Sequence, residues 1–131
     1  DFGTAVTIDC VSGDAYMGGL IFPGPRTALT ALSREAAKLP IVNLDVRANE
    51  PTPGRNTTTS IQHGIVFGFA CMVEGLTQRL KRQMSGPVKV LGTGGFAASI
   101  ARVSPVFDQV LPMLLLDGLR RLHYEERGAA E

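Results

Sequence analysis

Alternating apolar and polar residues dominate the first part of the chain. Residues 4–11 (TAVTIDCV) alternate and are rich in β-branched side chains, which predicts a β-strand. A turn signal at residues 12–14 leads into residues 15–22 (AYMGGLIF), a second predicted strand that runs antiparallel to the first. The pair Gly18-Gly19 inside this strand indicates a bulge or a close backbone approach. The pattern therefore predicts a β-hairpin, which Pro23 ends.

Apolar residues spaced three and four apart replace the alternation further along the chain. Residues 27–39 predict a helix that Pro40 ends, and residues 41–46 predict a short strand. After a loop rich in proline, residues 56–84 carry the longest helical pattern. Asn56 is a favourable N-cap for this helix, because its side-chain oxygen can accept a hydrogen bond from a free backbone N–H.

The last third of the chain returns to short elements. Residues 88–91 predict a strand that runs into a glycine-rich turn at 92–95 and a short helix at 96–102. A connector begins at Ser104, and residues 112–126 predict the final helix. Strand, glycine turn and helix in this order, together with the hairpin, indicate an α/β or mixed class.

Composition narrows the class of protein. The 131 residues are 44% hydrophobic and 19% charged, which excludes an intrinsically disordered chain. The net charge of +1 argues against a nucleic-acid partner, and no apolar run is long enough to predict a membrane span. Cys10 and Cys71 lie apart in apolar segments, so both are predicted to be buried hydrophobic residues. With no signal peptide in the sequence, we expect a cytoplasmic protein.

The first four residues form one candidate for chemistry. Gly3 allows a tight turn whose backbone N–H groups can face a ligand, and Thr4 adds a hydroxyl donor. Asp1 can hold a cation, directly or through water. Together the three residues could bind a phosphate and its metal, although an ordinary turn before a strand has the same pattern.

Other segments could also face a ligand. Gly92-Thr93-Gly94-Gly95 lies between a predicted strand and a helix, where successive N–H groups favour anions. Gly18-Gly19 could form a backbone wall, and Thr57 lies at a helix start that favours anionic ligands. His63 lies one helical turn beyond Thr59 and is interpreted either as a neighbour of that site or as a structural histidine. A tight turn explains residues 92–95 equally well, and the patterns at Gly18-Gly19, Thr57 and His63 favour structural roles: a bulged strand, a helix cap and a structural or surface histidine.

The order of the motifs resembles one known family. DFGTAVTID, GGLIFPG, AAKLP, GRNTTTSIQHG, GTGGFA and LLLDGL follow one another across nearly the whole chain. This order resembles the carboxy-terminal half of type III pantothenate kinases, which belong to the actin/sugar-kinase/heat-shock ATPase superfamily. The resemblance implies a ribonuclease H-like fold with a mixed sheet flanked by helices. It also implies a carboxy-terminal domain at residues 1–126, a polar tail at 127–131 and an absent amino-terminal domain.

The resemblance implies roles for the candidate residues. Such kinases use ATP with Mg²⁺ to phosphorylate the 4′-hydroxyl of pantothenate, the first step of coenzyme A biosynthesis. Asp1 matches the aspartate associated with a monovalent cation, potassium or ammonium. The phosphate and adenosine positions are matched by Gly3, Thr4, Gly92, Thr93, Gly94 and Gly95.

The resemblance also implies a homodimer and a substrate site. Thr57 matches the threonine that reaches pantothenate bound to the neighbouring subunit, and Gly18 and Gly19 match glycines that line the cleft. The helix with Gly64, Gly68 and Gly75 matches a dimer-interface element. This role would explain three glycines that each cost about 1 kcal/mol relative to alanine in a helix.

The chain departs from the family pattern in ways that limit the functional prediction. Pro25 stands where an apolar residue is usual, and the loop at 46–54 looks long. The first phosphate motif and the catalytic aspartate of the family would lie upstream of Asp1, so we expect a partial kinase that is inactive alone. Asp9 is a conceivable substitute base, but its place within a strand favours a structural role. A non-catalytic ligand-binding or regulatory protein on the same fold is the alternative, and another phosphotransferase of the superfamily fits the motifs less well.

Overall fold

The computed structural model describes residues 1–36 and 38–128. These residues form a small α/β structure with two two-stranded sheets. In chain order the elements are β1 (Ala5–Ser12), β2 (Ala15–Pro23), α1 (Pro25–Glu35), α2 (Thr57–Lys81), β3 (Leu91–Gly92), α3 (Ala97–Ala101), β4 (Gln109–Val110) and α4 (Leu114–Gly128).

The predicted hairpin and its bulge are confirmed. β1 pairs antiparallel with β2 from Ala5↔Pro23 onward, and the register shifts between Cys10 and Val11. Gly18 lies opposite Cys10 at this shift, with φ of 102°. Because glycine has no Cβ, it adopts this left-handed conformation without steric cost, which explains the choice of residue at the bulge.

The predicted strand at residues 41–46 is wrong, although its alternation is real. Leu44 and Val46 are buried while Asn43 and Asp45 are exposed, as expected of an extended segment with one face on the core. No strand of the described chain pairs with it. Side chains tether it instead, since Gln62 donates to the carbonyl of Asn43 at 2.6 Å. An alternating pattern reports which face is buried, but not whether a neighbouring strand is present.

The helices fall near their predicted positions, with shifted ends. α1 begins at Pro25, which suits the first turn because proline has no N–H to leave unpaired. It ends at Glu35, before the predicted end at Leu39, because Ala36 leaves the helical conformation with φ of −112°. α2 begins after Asn56 as predicted and ends at Lys81 rather than Met84.

The second sheet differs most from its prediction. The strand predicted at 88–91 is reduced to β3, which pairs parallel with β4 over two residues. The sequence pattern did not predict β4. The carboxylate of Asp108 accepts from the N–H of Val90 at 2.6 Å, and the N–H of Asp108 donates to the carbonyl of Val90 at 2.8 Å. These two bonds align the strands where the ladder is too short to do so.

The core lies between β1, α2 and α3. Its fully buried residues include Val6 of β1, Val66 of α2 and Ile100 of α3. The Phe22 ring packs against the Phe69 ring with centroids 6.2 Å apart, which joins the hairpin to α2. Among the described residues, no helix is long and apolar enough to cross a membrane.

Several surface features depart from expectation. Cys71 is exposed on α2 and Cys10 is half-buried, so the prediction that both are buried is wrong. A Cβ added to Gly64, Gly68 or Gly75 would have no atom of another element within 4 Å, so nothing in the described chain packs closely against them. α4 extends through Gly128, past the predicted start of the tail at Arg127, and residues 129–131 lie outside the described part.

Candidate functional site

Two glycine-containing segments far apart in sequence meet at the site. The N–H of Phe2 donates to the carbonyl of Thr93 at 2.8 Å, and the N–H of Phe96 donates to the carbonyl of Phe2 at 3.2 Å. The structure therefore brings the DFGT segment (residues 1–4) against the GTGG segment (residues 92–95). The Phe2 ring also packs edge-on against the Phe107 ring, with centroids 5.9 Å apart, and this contact stabilises the junction.

Glycine is required at position 94 because the two segments of the junction pack closely there. Its φ of 88° lies in the left-handed region, and a Cβ there would meet the side chain of Asp1 and the backbone N of Phe2 at 2.5 Å. Gly95, the next residue, is exposed and has nothing within 4 Å of a Cβ position. The first of these glycines closes the junction, and the second presents bare backbone to solvent.

The start of α1 adds a third segment to the site. The N–H of Gly24 donates to the carbonyl of Thr4 at 2.8 Å, and the hydroxyl of Thr27 donates to the same carbonyl at 2.6 Å. A Cβ on Gly24 would meet the carbonyls of Gly3 and Thr4, so glycine is needed for this approach. The amino-terminal end of α1 is thereby fixed beside the DFGT segment.

A cleft of about 700 Å³ lies where the three segments meet. Its lining includes Gly3, Thr4, Arg26, Thr30, Arg34 and Gly95. A second cleft of about 420 Å³ adjoins it along Arg26, Thr30, Gly95 and Phe96, and extends to the segment around Asn43 and Asp45. Two connected clefts beside the amino-terminal end of a helix offer room and donors for an extended anionic ligand.

Sequence reasoning missed the two arginines of this cleft. Arg26 is exposed in the first turn of α1 and forms no ion pair with any described residue. Arg34 lies two turns further along α1, with its Nε 4.0 Å from the carboxylate of Glu35. No local pattern indicates Arg26, because its place in the cleft depends on the docking of α1 against the carbonyl of Thr4. Of the two cations, Arg26 is the one without a neighbouring carboxylate.

Of the predicted site residues, only Gly3, Thr4 and Gly95 line the clefts. Asp1, Gly92, Thr93 and Gly94 belong to the junction or adjoin it without lining a cleft, and the other three lie farther away. Gly18 and Gly19 face Cys10 and Asp9 across the hairpin, and a Cβ on Gly19 would meet the carbonyl of Ile8. Thr57 is exposed as the first residue of α2. The described chain therefore joins the phosphate and adenosine candidates to one another but does not join them to the substrate candidates.

Asp9 is already engaged by its neighbours. Its carboxylate accepts from the hydroxyl of Tyr16 at 3.0 Å and from the hydroxyl of Thr7 at 2.8 Å. The hydrogen bond to Asp9 raises the pKa of the Tyr16 phenol above its ordinary value of 10.0. Both carboxylate oxygens of Asp9 thus have a structural partner.

His63 has a structural partner as well. Its Nδ1 lies 2.7 Å from the carbonyl of Thr52, and its ring meets the Phe67 ring edge-on at 5.5 Å. Because a carbonyl only accepts, this geometry requires the proton on Nδ1. The structural interpretation of His63 is confirmed: it anchors the proline-rich loop onto α2.

The chain offers one carboxylate to a cation at the junction. Asp1 lies beside Gly94, and the described residues contain no group of three or more His, Cys, Asp or Glu side chains that could hold a metal. One carboxylate suits Mg²⁺ that keeps several waters and is held mainly by substrate phosphates. The donor set therefore fits a nucleotide-borne cation and not a metal site built by this chain alone.

Comparison with known proteins identifies the family. The sequence model of the type III pantothenate kinase family matches residues 1–79. The chain is 86% identical to the type III pantothenate kinase of Desulfovibrio desulfuricans over 98% of this chain and 49% of that relative. It is 42% identical to that of Thermus thermophilus over 95% of this chain and 49% of the relative. The chain thus spans about half the length of the curated relatives it matches.

A solved structure supports the fold. A protein from Campylobacter jejuni, described as a Baf family transcriptional activator, superposes with a TM-score of 0.65 at 22% identity. The match covers 96% of this chain and 56% of that one, and at this identity it bears on the fold alone. With the family match over residues 1–79 and the high identity to curated relatives, the chain belongs to the type III pantothenate kinase family.

Proposed function

We propose that this chain is the carboxy-terminal half of an enzyme that transfers the γ-phosphate of ATP to the 4′-hydroxyl of pantothenate. The observation that carries the proposal is the junction of the DFGT and GTGG segments, which lines one cleft with both glycine turns. The names of the curated relatives agree with this reaction. Its fold would be one domain of the actin/sugar-kinase/heat-shock ATPase type.

In this proposal the chain binds and orients the nucleotide. Thr4 offers a hydroxyl, and Gly3 and Gly95 allow phosphate oxygens to approach the backbone closely. Arg26 supplies a positive charge on the wall shared by the two clefts, so it can reach a phosphate while the nucleoside extends along the GTGG segment. Positioning and charge neutralisation are the main requirements of phosphoryl transfer.

The cations of the proposal are held in part by Asp1. When bound, Mg²⁺ and a monovalent cation would neutralise charge on the phosphates. Asp1 lies beside Gly94 at the junction, adjacent to the clefts but outside their lining, so its carboxylate would reach a cation at the edge of a bound phosphate. Further ligands would come from ATP, water and the half of the enzyme that this chain does not span.

Pantothenate and the homodimer are assigned to α2. Thr57 is exposed at the amino-terminal end of α2, as a residue that reaches into a neighbouring subunit must be. Gly64, Gly68 and Gly75 leave an open stripe along the same helix. A second copy of α2 could approach this stripe closely, which would account for its helix-weakening glycines.

Asp9, the substitute base that the sequence suggested, is not free to act on the substrate hydroxyl. Asp9 is bonded to Tyr16 and Thr7 and lies on the hairpin, outside the cleft lining. Glu35 also lines the cleft, with its carboxylate 4.0 Å from Arg34. In this proposal Glu35 is not the base, and the base comes from the half that this chain does not span. We expect the isolated chain to bind ATP but to show no ATP-dependent phosphorylation of pantothenate.

The proposal is tested by measuring both ATP binding and pantothenate phosphorylation. Purified chain is titrated with a fluorescent ATP analogue, and [γ-³²P]ATP is used to measure pantothenate phosphorylation. The same assays are run on a full-length kinase in which this chain is joined to the remaining half of the Desulfovibrio desulfuricans relative. Binding without turnover by the chain, and turnover by the joined enzyme, are expected. Turnover by the chain alone contradicts the missing base, whereas binding without turnover by the joined enzyme favours a non-catalytic ligand-binding protein.

A further inference from the structure

The last helix presents an apolar face to solvent. Leu115, Leu119 and Leu122 are spaced four and three residues apart, so their side chains share one face of α4. Their exposed fractions are 66%, 54% and 58%. The opposite side of the helix carries Asp117, Arg120, Arg121, Tyr124 and Glu125, and Leu114 and Leu116 lie on its two flanks.

Nothing in the described part of the chain covers this leucine face (Leu115, Leu119 and Leu122). α4 makes no extensive contact with any other named helix or strand, and its described side chains are exposed on every side. An isolated helix of 15 residues is marginal in water, because most helical stability in proteins comes from packing an amphipathic face. The sequence of α4 therefore encodes a packing face that this chain leaves open.

The length of the relatives indicates what covers it. The curated kinases that this chain matches are about twice as long, and the superposed Campylobacter jejuni structure also has a large part beyond the match. We infer that the leucine face of α4 packs against the half of the full-length kinase that this chain does not span. This inference rests on membership of the family and not on the reaction proposed above.

The size of the face favours this occupant over a second copy of the chain. The three leucines together expose less surface than two whole leucine residues. A stable protein–protein interface buries about 800 Å² on each partner, so this face alone is too small to hold two separate chains together. Two halves of one polypeptide have a high effective concentration and need no such area.

Hydrogen exchange of the α4 amides tests the inference. The isolated chain is measured at two concentrations tenfold apart, beside the full-length kinase that joins it to the remaining half of the Desulfovibrio desulfuricans relative. We expect α4 to exchange at least about 100-fold more slowly in the full-length kinase, and at the same fast rate in both samples of the isolated chain. Equal exchange in the chain and the kinase overturns the inference. Protection of the isolated chain that grows with concentration also overturns it, in favour of a second copy.

Paired variants of the full-length kinase test whether the slower exchange of α4 depends on its leucine face. Leu115→Gln, Leu119→Gln and Leu122→Gln together should return α4 to the fast exchange of the isolated chain. The matched control replaces the other side of the helix, with Arg120→Gln, Arg121→Gln and Tyr124→Gln, and should keep α4 protected. Unchanged exchange in α2 shows that each variant is folded. Equal loss of α4 protection in both variants, or in neither, contradicts the assignment to the leucine face, and no outcome depends on kinase activity.

Discussion

Adjacent glycines at the junction have different structural requirements. Gly94 combines a left-handed φ with the contact of Asp1 and Phe2, whereas Gly95 has open space around it. Gly94 is therefore required by the fold, whereas any requirement for glycine at position 95 would come from a ligand that approaches the backbone.

We expect Gly94→Ala to lower the free energy of unfolding by at least about 2 kcal/mol, because it adds backbone strain to a clash with fixed backbone atoms. Gly95→Ala is the matched control and should change that free energy by less than about 0.5 kcal/mol. Urea denaturation followed by circular dichroism measures both. Equal effects at the two positions would show that the junction is looser than the structure indicates.

Arg26 is the residue-scale test of the nucleotide site. Arg26→Ala should weaken binding of the ATP analogue about tenfold, because it removes a charge-assisted contact to phosphate. Arg26→Lys should retain part of the affinity through its charge. Arg79→Ala is the control, since Arg79 lies in the last turn of α2 and outside both clefts. An affinity unchanged in Arg26→Ala would remove the arginine from the phosphate site.

The bond between Tyr16 and Asp9 has a consequence at alkaline pH. Since the pKa of Tyr16 is raised in the fold, its contribution to stability is present below pH 10 and is lost as pH rises through the folded-state pKa. In a Tyr124→Phe background, ultraviolet titration reports Tyr16 alone, because the chain has two tyrosines. Asp9→Asn should move the midpoint down towards the ordinary value. A midpoint that does not change on this substitution would contradict the bond.

At the scale of elements, two adjacent residues at the start of α2 have different roles: Asn56 caps the helix, and Thr57 is a proposed substrate contact. The side chain of Asn56 accepts a hydrogen bond from the backbone N–H of Thr59 at 2.9 Å. In return, the backbone N–H of Asn56 donates to the hydroxyl oxygen of Thr59 at 3.3 Å, which completes a capping box. Thr57 lies between these residues and is exposed.

Asn56→Ala should therefore lower the free energy of unfolding by about 1 kcal/mol, because it removes the cap. Thr57→Ala should leave stability within about 0.5 kcal/mol, since its exposed side chain caps nothing. In the full-length kinase, Thr57→Ala should instead raise the KM for pantothenate if the proposed contact across the dimer exists. Thermal unfolding and steady-state kinetics measure the two effects independently.

Elements with local signals were predictable from the sequence, and elements that depend on distant partners were not. The hairpin, its bulge at Gly18 and the cap at Asn56 each depend on residues close in sequence. The predicted strand at 41–46 failed because alternation does not show whether a neighbouring strand exists. β4 was missed because its two-residue ladder depends on Asp108 and Val90, which are far apart in the chain.

In the candidate site, too, local motifs were predictable from the sequence and contacts between distant residues were not. Residue type and motif order indicated the DFGT and GTGG segments as candidates, and the structure places them together. The position of Arg26 in the cleft depends on how α1 docks against Thr4, which only the folded chain shows. The ligand roles of all the predicted site residues remain predictions, and only Gly3, Thr4 and Gly95 among them line a described cleft.

At the scale of the whole molecule, the chain resembles one wall of an enzyme. The clefts lie beside α1 and the junction, α2 presents an open glycine stripe, and α4 presents its leucine face. Each surface corresponds to a different proposed contact: nucleotide, second subunit and second half. Variants on one surface should therefore act mainly on the contact proposed for that surface, because residues that share no partner contribute additively.

The junction between Phe2 and Thr93 also determines when the cleft can form. Its two segments are about 90 positions apart in the chain. The entropy of closing so long a loop must be overcome before the contacts are made, and contacts of high sequence separation slow folding. During synthesis the DFGT segment emerges first and has no partner until the GTGG segment follows. We therefore expect the cleft to assemble late in the folding of the described chain, and the ATP binding proposed above would have to wait for this step.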